Sequence, residues 1–212
     1  MNDNEKIIRI KDWLGTGSIN IFGIQFSGKD TVGKGLAEAL DADFLSSGDI
    51  VRAAREDSQN ARISRAAKAS DKGVLTPTEE FQELIVPYLY DEKLAGRALI
   101  LSSVGRWIGE EQTVMAALKR GQHDTKAVVV LKISEAEVWR RWQVVRDERN
   151  GGRADDMNEE KVRTRLEWFR DKTLPVIAKY REMGLVIEID GEQPRDQVFA
   201  EVVDKLYRFA GQ

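Results

Sequence analysis

The chain lacks cysteine altogether and has a single histidine among its 212 residues. Disulfide bonds and thiolate zinc sites are therefore excluded. The histidine, His123, lies in a polar turn and is expected at the surface. No apolar run approaches the length of a membrane span, and the polar N-terminal residues are unlike a signal peptide. The formal net charge of -3 gives no basic field for nucleic acid. We expect a cytoplasmic protein that binds neither membranes nor nucleic acid.

What the chain does have is an ordinary soluble composition, with 42% hydrophobic and 33% charged residues, and enough length for one α/β domain. Short apolar runs alternate with helical periods, which predicts a parallel sheet covered by helices on both faces. The predicted strands are 18–23, 43–45, 97–102, 126–133 and 184–190. The predicted helices are 5–14, 30–40, 48–57, 60–72, 77–92, 107–120, 134–148, 158–181 and 194–209.

A glycine-rich segment, Gly-Ile-Gln-Phe-Ser-Gly-Lys-Asp-Thr, joins the first predicted strand to the next helix and begins at Gly23. Gly23 and Gly28, with Ser27 before the second glycine, let the backbone bend so that successive N–H groups point inward. Lys29 adds a full positive charge to the partial charge of the helix N-terminus. This chemistry holds the phosphates of a nucleoside triphosphate. The alternative is an ordinary glycine turn before a helix.

The residues after Lys29 depart from the usual phosphate-loop pattern. A serine or threonine normally follows the lysine directly and binds Mg²⁺ through its hydroxyl. Here Asp30 takes that place, and Thr31 comes one residue later. We expect Asp30 and Thr31 to serve the metal. The alternative is that Asp30 only caps the helix, because an acidic residue near a helix N-terminus is favourable.

A polar segment at 146–156 interrupts the alternation of strands and helices. It holds the turn Asn150-Gly151-Gly152, bracketed by arginines that include Arg146 and Arg153. A glycine turn between arginines is typical of a lid that closes over phosphates, because guanidinium groups pair with phosphate oxygens. A solvated loop with ordinary surface charges is the alternative.

Taken in order, these motifs resemble the adenylate kinase family of nucleoside monophosphate kinases over most of the chain. The matching segments are the phosphate loop, Ser-Ser-Gly-Asp-x-x-Arg from Ser46, Ile-Leu-Ser-Ser-Val-Gly-Arg from Ile100, the arginine-rich segments at 152–156 and 162–166, and Ile-Asp-Gly from Ile189. The resemblance implies an α/β three-layer P-loop fold with a five-stranded parallel sheet and a short lid. It also implies a single domain over 1–212, with an N-terminal extension at 1–17, acceptor-binding helices at 48–92 within 30–95, and the lid at 146–156.

On the donor side, the resemblance implies that Lys29 bridges the β- and γ-phosphates of ATP and that the whole phosphate loop binds the nucleotide with Mg²⁺. Arg141 would stack on the donor base, beside the turn at Gly191. The family commonly has a second arginine four residues after Arg141, where this chain has Val145. Arg146 is the expected substitute.

On the acceptor side, the resemblance implies that Arg52 and Arg106 grip the phosphate of a nucleoside monophosphate. Ser47 and Gly48 would lie against the acceptor nucleotide. Arg153 and Arg165 would neutralise charge on the transferred group, so that Lys29, Arg106, Arg153 and Arg165 form the expected catalytic set.

Two positions differ from the family pattern. An aspartate that organises magnesium through water is replaced by Ser102, and we expect Asp30 to offer the missing carboxylate. Near the acceptor base, Glu110 and Glu111 precede Gln112. A carboxylate suits the N–H groups of guanine, whereas Gln112 suits adenine. Glutamates facing solvent at a helix start are the alternative.

The expected activity is reversible transfer of a phosphoryl group from MgATP to a nucleoside monophosphate, with AMP preferred (ATP + AMP = 2 ADP). The expected partners are ATP and the monophosphate, and the protein is expected to be a monomer. The alternatives are a catalytically weakened nucleotide-binding regulator and a kinase for GMP, CMP or UMP. A kinase for a small non-nucleotide substrate is disfavoured by the segment from Ser47 to Arg52.

Overall fold

A computed structural model of the chain describes residues 2–51, 78–147 and 158–211. Its centre is a five-stranded sheet in which every neighbouring pair is parallel, in the order β2-β3-β1-β4-β5. The strands are β1 (Ser18–Gly23), β2 (Asp43–Ser46), β3 (Leu99–Ser102), β4 (Thr125–Lys132) and β5 (Val186–Asp190). The predicted α/β class, strand number and parallel arrangement are confirmed.

Helices cover both faces of this sheet. They are α1 (Asp3–Leu14), α2 (Lys29–Leu40), α3 (Thr78–Leu84), α4 (Glu110–Arg120), α5 (Glu135–Asp147), α6 (Glu159–Trp168), α7 (Leu174–Glu182) and α8 (Arg195–Ala210), and residues 47–51 are also helical. Among the described residues, no helix is both long and apolar enough to span a bilayer.

The core lies on the two sides of the sheet, because alternate strand residues face opposite ways. Leu14 of α1, Leu36 of α2 and Val202 of α8 pack on one face. On the other face, Phe22 packs against Tyr180 of α7. With both faces covered, the carboxyl ends of the parallel strands are where a ligand site forms.

Two of the predicted helices are interrupted, in both cases at a proline. The helix predicted over 77–92 ends as α3, and a short 3₁₀-helix, Val86–Tyr90, begins beside Pro87. The helix predicted over 158–181 contains a π-helical turn, Phe169–Thr173, just before Pro175. Proline has no N–H to donate and its ring clashes with the preceding turn, so the regular α-helical hydrogen bonding is interrupted before each proline.

The surface position expected for His123 is wrong. Its side chain is fully buried, and Nδ1–H donates to the carbonyl of Thr16 at 2.9 Å. The hydroxyl of Ser18 donates to the His123 carbonyl at 3.0 Å. The turn therefore closes the end of the sheet where β1 and β4 begin, which is opposite to the carboxyl ends of the strands.

We predict that replacing Tyr180 with phenylalanine stabilises the protein. The Tyr180 hydroxyl is buried and has no hydrogen-bond partner among the described residues, and burial raises its pKa above the ordinary range. An unsatisfied buried hydroxyl costs about 1–3 kcal/mol. At about 2–4 °C for each kcal/mol, thermal unfolding of Tyr180→Phe is expected to show a melting temperature higher by about 2–12 °C. A lower melting temperature would contradict this account.

Candidate active site

The loop between β1 and α2 is shaped by its two glycines. A Cβ on Gly23 would lie 2.3 Å from Oγ of Ser27, so only glycine fits beneath that side chain. Gly28 has φ 86° at the start of α2, and Phe26 has φ 64°, both in the left-handed region. The Ser27 hydroxyl is buried without a hydrogen-bond partner among the described residues. The loop is therefore a tight backbone turn with a polar floor.

The N-terminal end of α2 concentrates positive potential at this loop. Lys29 is its first residue, and the N-cap Gly28 provides no side chain to cap the helix. Thr31, two residues after Lys29, is exposed. The backbone N–H groups at a helix start, the helix dipole and an ammonium group are the chemistry that fits a polyphosphate. The glycine turn predicted from the sequence thus has the geometry of a phosphate-binding loop.

Asp30 reaches across to the end of β3. Its Oδ1 accepts a hydrogen bond of 2.5 Å from the hydroxyl of Ser102, a residue that is 72 positions away in the chain and 1% exposed. Ser102, which replaces an aspartate of the family pattern, and Asp30, which is expected to offer the missing carboxylate, are therefore direct neighbours. Hard oxygen atoms of this kind suit Mg²⁺.

Side chains that follow β2 and β3 donate hydrogen bonds to the same backbone carbonyl group. The Ser103 carbonyl accepts a hydrogen bond from Nε of Arg106 at 3.0 Å and one from Oγ of Ser47 at 3.4 Å. Ser103 adopts φ 49° to present this carbonyl. The structure thus brings Ser47, with Gly48 beside it in the chain, and Arg106 together, and their roles toward an acceptor stay predictions.

Asn20 holds the loop after β3 in place, and the sequence reasoning missed it. Its Nδ2 donates to the carbonyl of Val104 at 2.8 Å, and its Oδ1 accepts from the Val104 N–H at 3.3 Å. The residue is buried in β1. A lone asparagine within an apolar strand was the available signal, because a buried amide needs partners.

Glu110 and Glu111 are buried, so the alternative of solvent-facing glutamates is wrong. One carboxylate oxygen of Glu110 accepts from the backbone N–H groups of Arg106 (2.7 Å) and Trp107 (3.0 Å). Glu111 accepts from the N–H of Gly109 at 2.7 Å. Both side chains hold the loop that carries Arg106 through hydrogen bonds to its backbone. Gln112 is exposed on α4.

We predict that Glu110→Gln makes the protein more stable at neutral pH. Burial is the main reason that the pKa of Glu110 is raised above its ordinary value of 4.5, with backbone hydrogen bonds opposing it. A raised folded-state pKa means that the stability contribution is present below 4.5 and is lost as the pH rises through the folded value. Urea unfolding from pH 4.5 to 8 is expected to show a gain for the variant that grows with pH. A gain independent of pH would contradict this explanation.

Arg141 links the phosphate loop to the turn after β5. Its guanidinium donates to the carbonyl of Phe26 at 3.0 Å and to that of Gly191 at 2.6 Å. Glu137 accepts from its Nε at 2.6 Å. A hydrogen bond from Arg140 is the main reason that the pKa of Glu137 is lowered to about 2, so this partner stays ionised. Arg141 and Gly191 therefore lie together beside the phosphate loop.

Known proteins with similar sequences agree with this geometry. A family model for adenylate kinase matches residues 21–185. The chain belongs to the adenylate kinase family. It is 33% identical over 178 residues to an adenylate kinase of Thermus thermophilus, covering 83% of this chain and 89% of the relative. It is 33% identical over 187 residues to adenylate kinase 1 of Synechocystis (88% and 94%), and 28% identical over 187 residues to an adenylate kinase of Phocaeicola vulgatus (88% and 96%).

Membership of the adenylate kinase family makes the chain a phosphotransferase of the nucleoside monophosphate kinase class with a nucleotide-binding P-loop. Within the described ranges, no three or more His, Cys, Asp or Glu side chains form a metal-binding group. The residues that would offer oxygen atoms to a Mg²⁺ ion bound with a nucleotide are Asp30 and Thr31, because such ions usually take one or two protein oxygens beside water and phosphate oxygens.

Two aromatic pairs involve the helices α5 and α6 of this adenylate kinase family member. Trp139 and Trp142 on α5 meet edge to face at 5.5 Å, and the Arg146 guanidinium lies 5.0 Å from the Trp142 ring. Trp107 meets Trp168 of α6 at 5.0 Å. Arg146 is exposed at the end of α5. Aromatic rings therefore lie on both α5 and α6, the helices before and after residues 148–157 in the chain.

Several predicted positions of the adenylate kinase pattern lie outside the described residues. They are Arg52, Arg153, the helix expected at 60–72 and most of the lid at 148–156. Arg165 is described and lies half-buried on α6. Arg52 and Arg153 therefore stay predictions from the sequence.

Proposed function

We propose that the protein transfers the terminal phosphoryl group of ATP to AMP, reversibly, giving two molecules of ADP. The observation that carries this proposal is the meeting of two sets of groups at the carboxyl end of one sheet. The phosphate loop with Lys29 follows β1, and the Arg106 loop follows β3, which pairs with β1. One set suits a triphosphate and the other suits a second, smaller anion.

The donor nucleotide is proposed to lie along the loop from Gly23 to Thr31. Backbone N–H groups and the start of α2 would receive the phosphates, and Lys29 would bridge the β- and γ-phosphates. The base would lie near Arg141 and Gly191. Arg146 is at the far end of α5, more than one helical turn from Arg141, and would approach the donor only from the lid side.

In the transfer, an oxygen of the acceptor phosphate forms a bond to the γ-phosphorus of ATP. The bond from that phosphorus to the β–γ bridging oxygen breaks, and ADP leaves with this oxygen. Arg106, Arg153 and Arg165, with Lys29, would stabilise the charge on the three equatorial oxygens. Bound Mg²⁺ supplies further neutralisation of the phosphates. The protein's main task is to align two anions and exclude water.

AMP is proposed as the acceptor because the similar proteins are adenylate kinases. The reason for considering guanine was the carboxylate of Glu110. That carboxylate already accepts two backbone N–H groups, which gives it a role in folding the loop. Ser47 and Gly48, with Gln112 on the next helix, are proposed to lie near the acceptor nucleotide.

The test is to incubate the protein with MgATP and each of AMP, GMP, CMP and UMP, and to measure diphosphate formation. Turnover with AMP supports the proposal, and faster turnover with another monophosphate would change the acceptor. ATP binding without turnover for any acceptor would favour the regulatory alternative. Cell fractionation and light scattering test the expected cytoplasmic location and monomeric state.

A further inference from the structure

The contact between Asp30 and Ser102 poses a problem of charge. Asp30 is the residue directly after Lys29, in the first turn of α2, and its side chain is half-buried. A carboxylate at this point repels the phosphate oxygens that the loop otherwise attracts. A divalent cation between the carboxylate and the phosphates would remove this repulsion.

Ser102 fixes where that carboxylate points. The serine is the last residue of β3 and is almost completely buried, and its hydroxyl donates to the Asp30 carboxylate. The 2.5 Å hydrogen bond to Oδ1 ties the start of α2 to the end of β3. Because β3 pairs directly with β1, this hydrogen bond lies at the carboxyl end of the sheet, next to the phosphate loop.

We propose that Asp30 is the protein carboxylate that orders the Mg²⁺ of MgATP and that Ser102 is its positioning residue. The metal-side carboxylate thus comes from the helix after the phosphate loop, and the strand supplies only a hydroxyl that orients it. Groups that hold a metal's partners in place affect metal affinity by about 10–100-fold when they are lost. This inference rests on the proposed binding of ATP.

The positions of the two side chains suggest an exchange experiment. A carboxylate at position 102 would reach the space that Asp30 occupies now, because the two side chains are already within hydrogen-bond distance. The double variant Asp30→Gly/Ser102→Asp therefore moves the charge from helix to strand without changing the total. The single variant Asp30→Asn keeps an oxygen that can accept from Ser102 and removes only the charge.

The measurement is ATP affinity by calorimetry, with EDTA and over a Mg²⁺ titration, together with electron paramagnetic resonance of Mn²⁺ bound with ATP. Asp30→Asn is expected to raise, by about 10–100-fold, the Mg²⁺ concentration at which the Mg²⁺-dependent gain in ATP affinity is half-maximal. Its ATP affinity in EDTA is expected to be kept or improved. The double variant is expected to restore the dependence of ATP affinity on Mg²⁺, Ser102→Ala to weaken it, and Ser102→Thr to retain it.

The outcomes separate this inference from the proposed function. An unmutated protein that gives no heat with ATP overturns both. If Asp30→Asn binds ATP with the same dependence on Mg²⁺ as the unmutated protein, only the inference is overturned. The same holds if the double variant is folded but does not regain the dependence of ATP affinity on Mg²⁺. Circular dichroism checks folding, and Asp30→Asn remains decisive if the double variant does not fold.

Discussion

Replacing Lys29 with alanine is expected to reduce phosphoryl transfer by about 10³-fold. Lys29 is the one side chain of the loop that carries a full positive charge, at the first turn of α2. It is proposed to bridge the phosphates between which the bond breaks, where negative charge develops. The helix and its glycine turn remain, so ATP binding is expected to weaken less than turnover. Single-turnover kinetics and calorimetry measure the two effects separately.

The matched control is Lys34→Ala. Lys34 belongs to the same helix and carries the same charge, but it is exposed, and its amine lies 5.8 Å from the centre of the Phe44 ring. Its removal is expected to leave the rate within about twofold, because an isolated surface charge contributes little. Equal losses in the two variants would show that net charge, and not the position of Lys29, explains the effect.

Gly23→Ala is expected to weaken ATP binding by about 10–100-fold. The added Cβ would lie 2.3 Å from Oγ and 3.0 Å from Cβ of Ser27, so the loop must move. Overpacking of this kind costs about 1–3 kcal/mol, and each 1.4 kcal/mol is a factor of about ten in affinity. Fluorescence titration with an ATP analogue measures the loss.

A second change in the same loop tests whether this clash is the cause. Ser27→Gly removes the two nearest of the three atoms that the new Cβ would meet and leaves only Cβ of Leu131, at 3.3 Å. Gly23→Ala/Ser27→Gly is therefore expected to bind ATP better than Gly23→Ala. Ser27→Gly alone provides the baseline. If the double variant binds no better than the single one, crowding at Ser27 does not explain the requirement for glycine.

The sequence was sufficient to predict the sheet and the phosphate loop, because both depend on local patterns. Buried strands leave short apolar runs, and a glycine turn before a lysine is contiguous. The interruptions at Pro87 and Pro175 were also visible, but apolar periodicity continued through both prolines and outweighed them. The physical rule that proline lacks a donor would have placed the breaks correctly.

Contacts between distant residues could not be predicted. The family resemblance put Ser102 and Asp30 near one expected metal site, but it did not predict the direct hydrogen bond between them, which depends on β3 lying next to β1. Glu110 is buried only because the preceding loop turns back and presents N–H groups to it. His123 is buried for a similar reason, since the carbonyl of Thr16 comes from another part of the chain.

The edge-to-face pair of Trp107 and Trp168 gives the protein an internal optical probe. One indole follows Arg106, and the other ends α6. A shift of this helix relative to the Arg106 loop alters the distance between the rings and with it the tryptophan emission. Any movement of α6 against this loop when nucleotides bind is therefore observable by stopped-flow without an attached dye, and Trp107→Phe identifies the contribution of this pair.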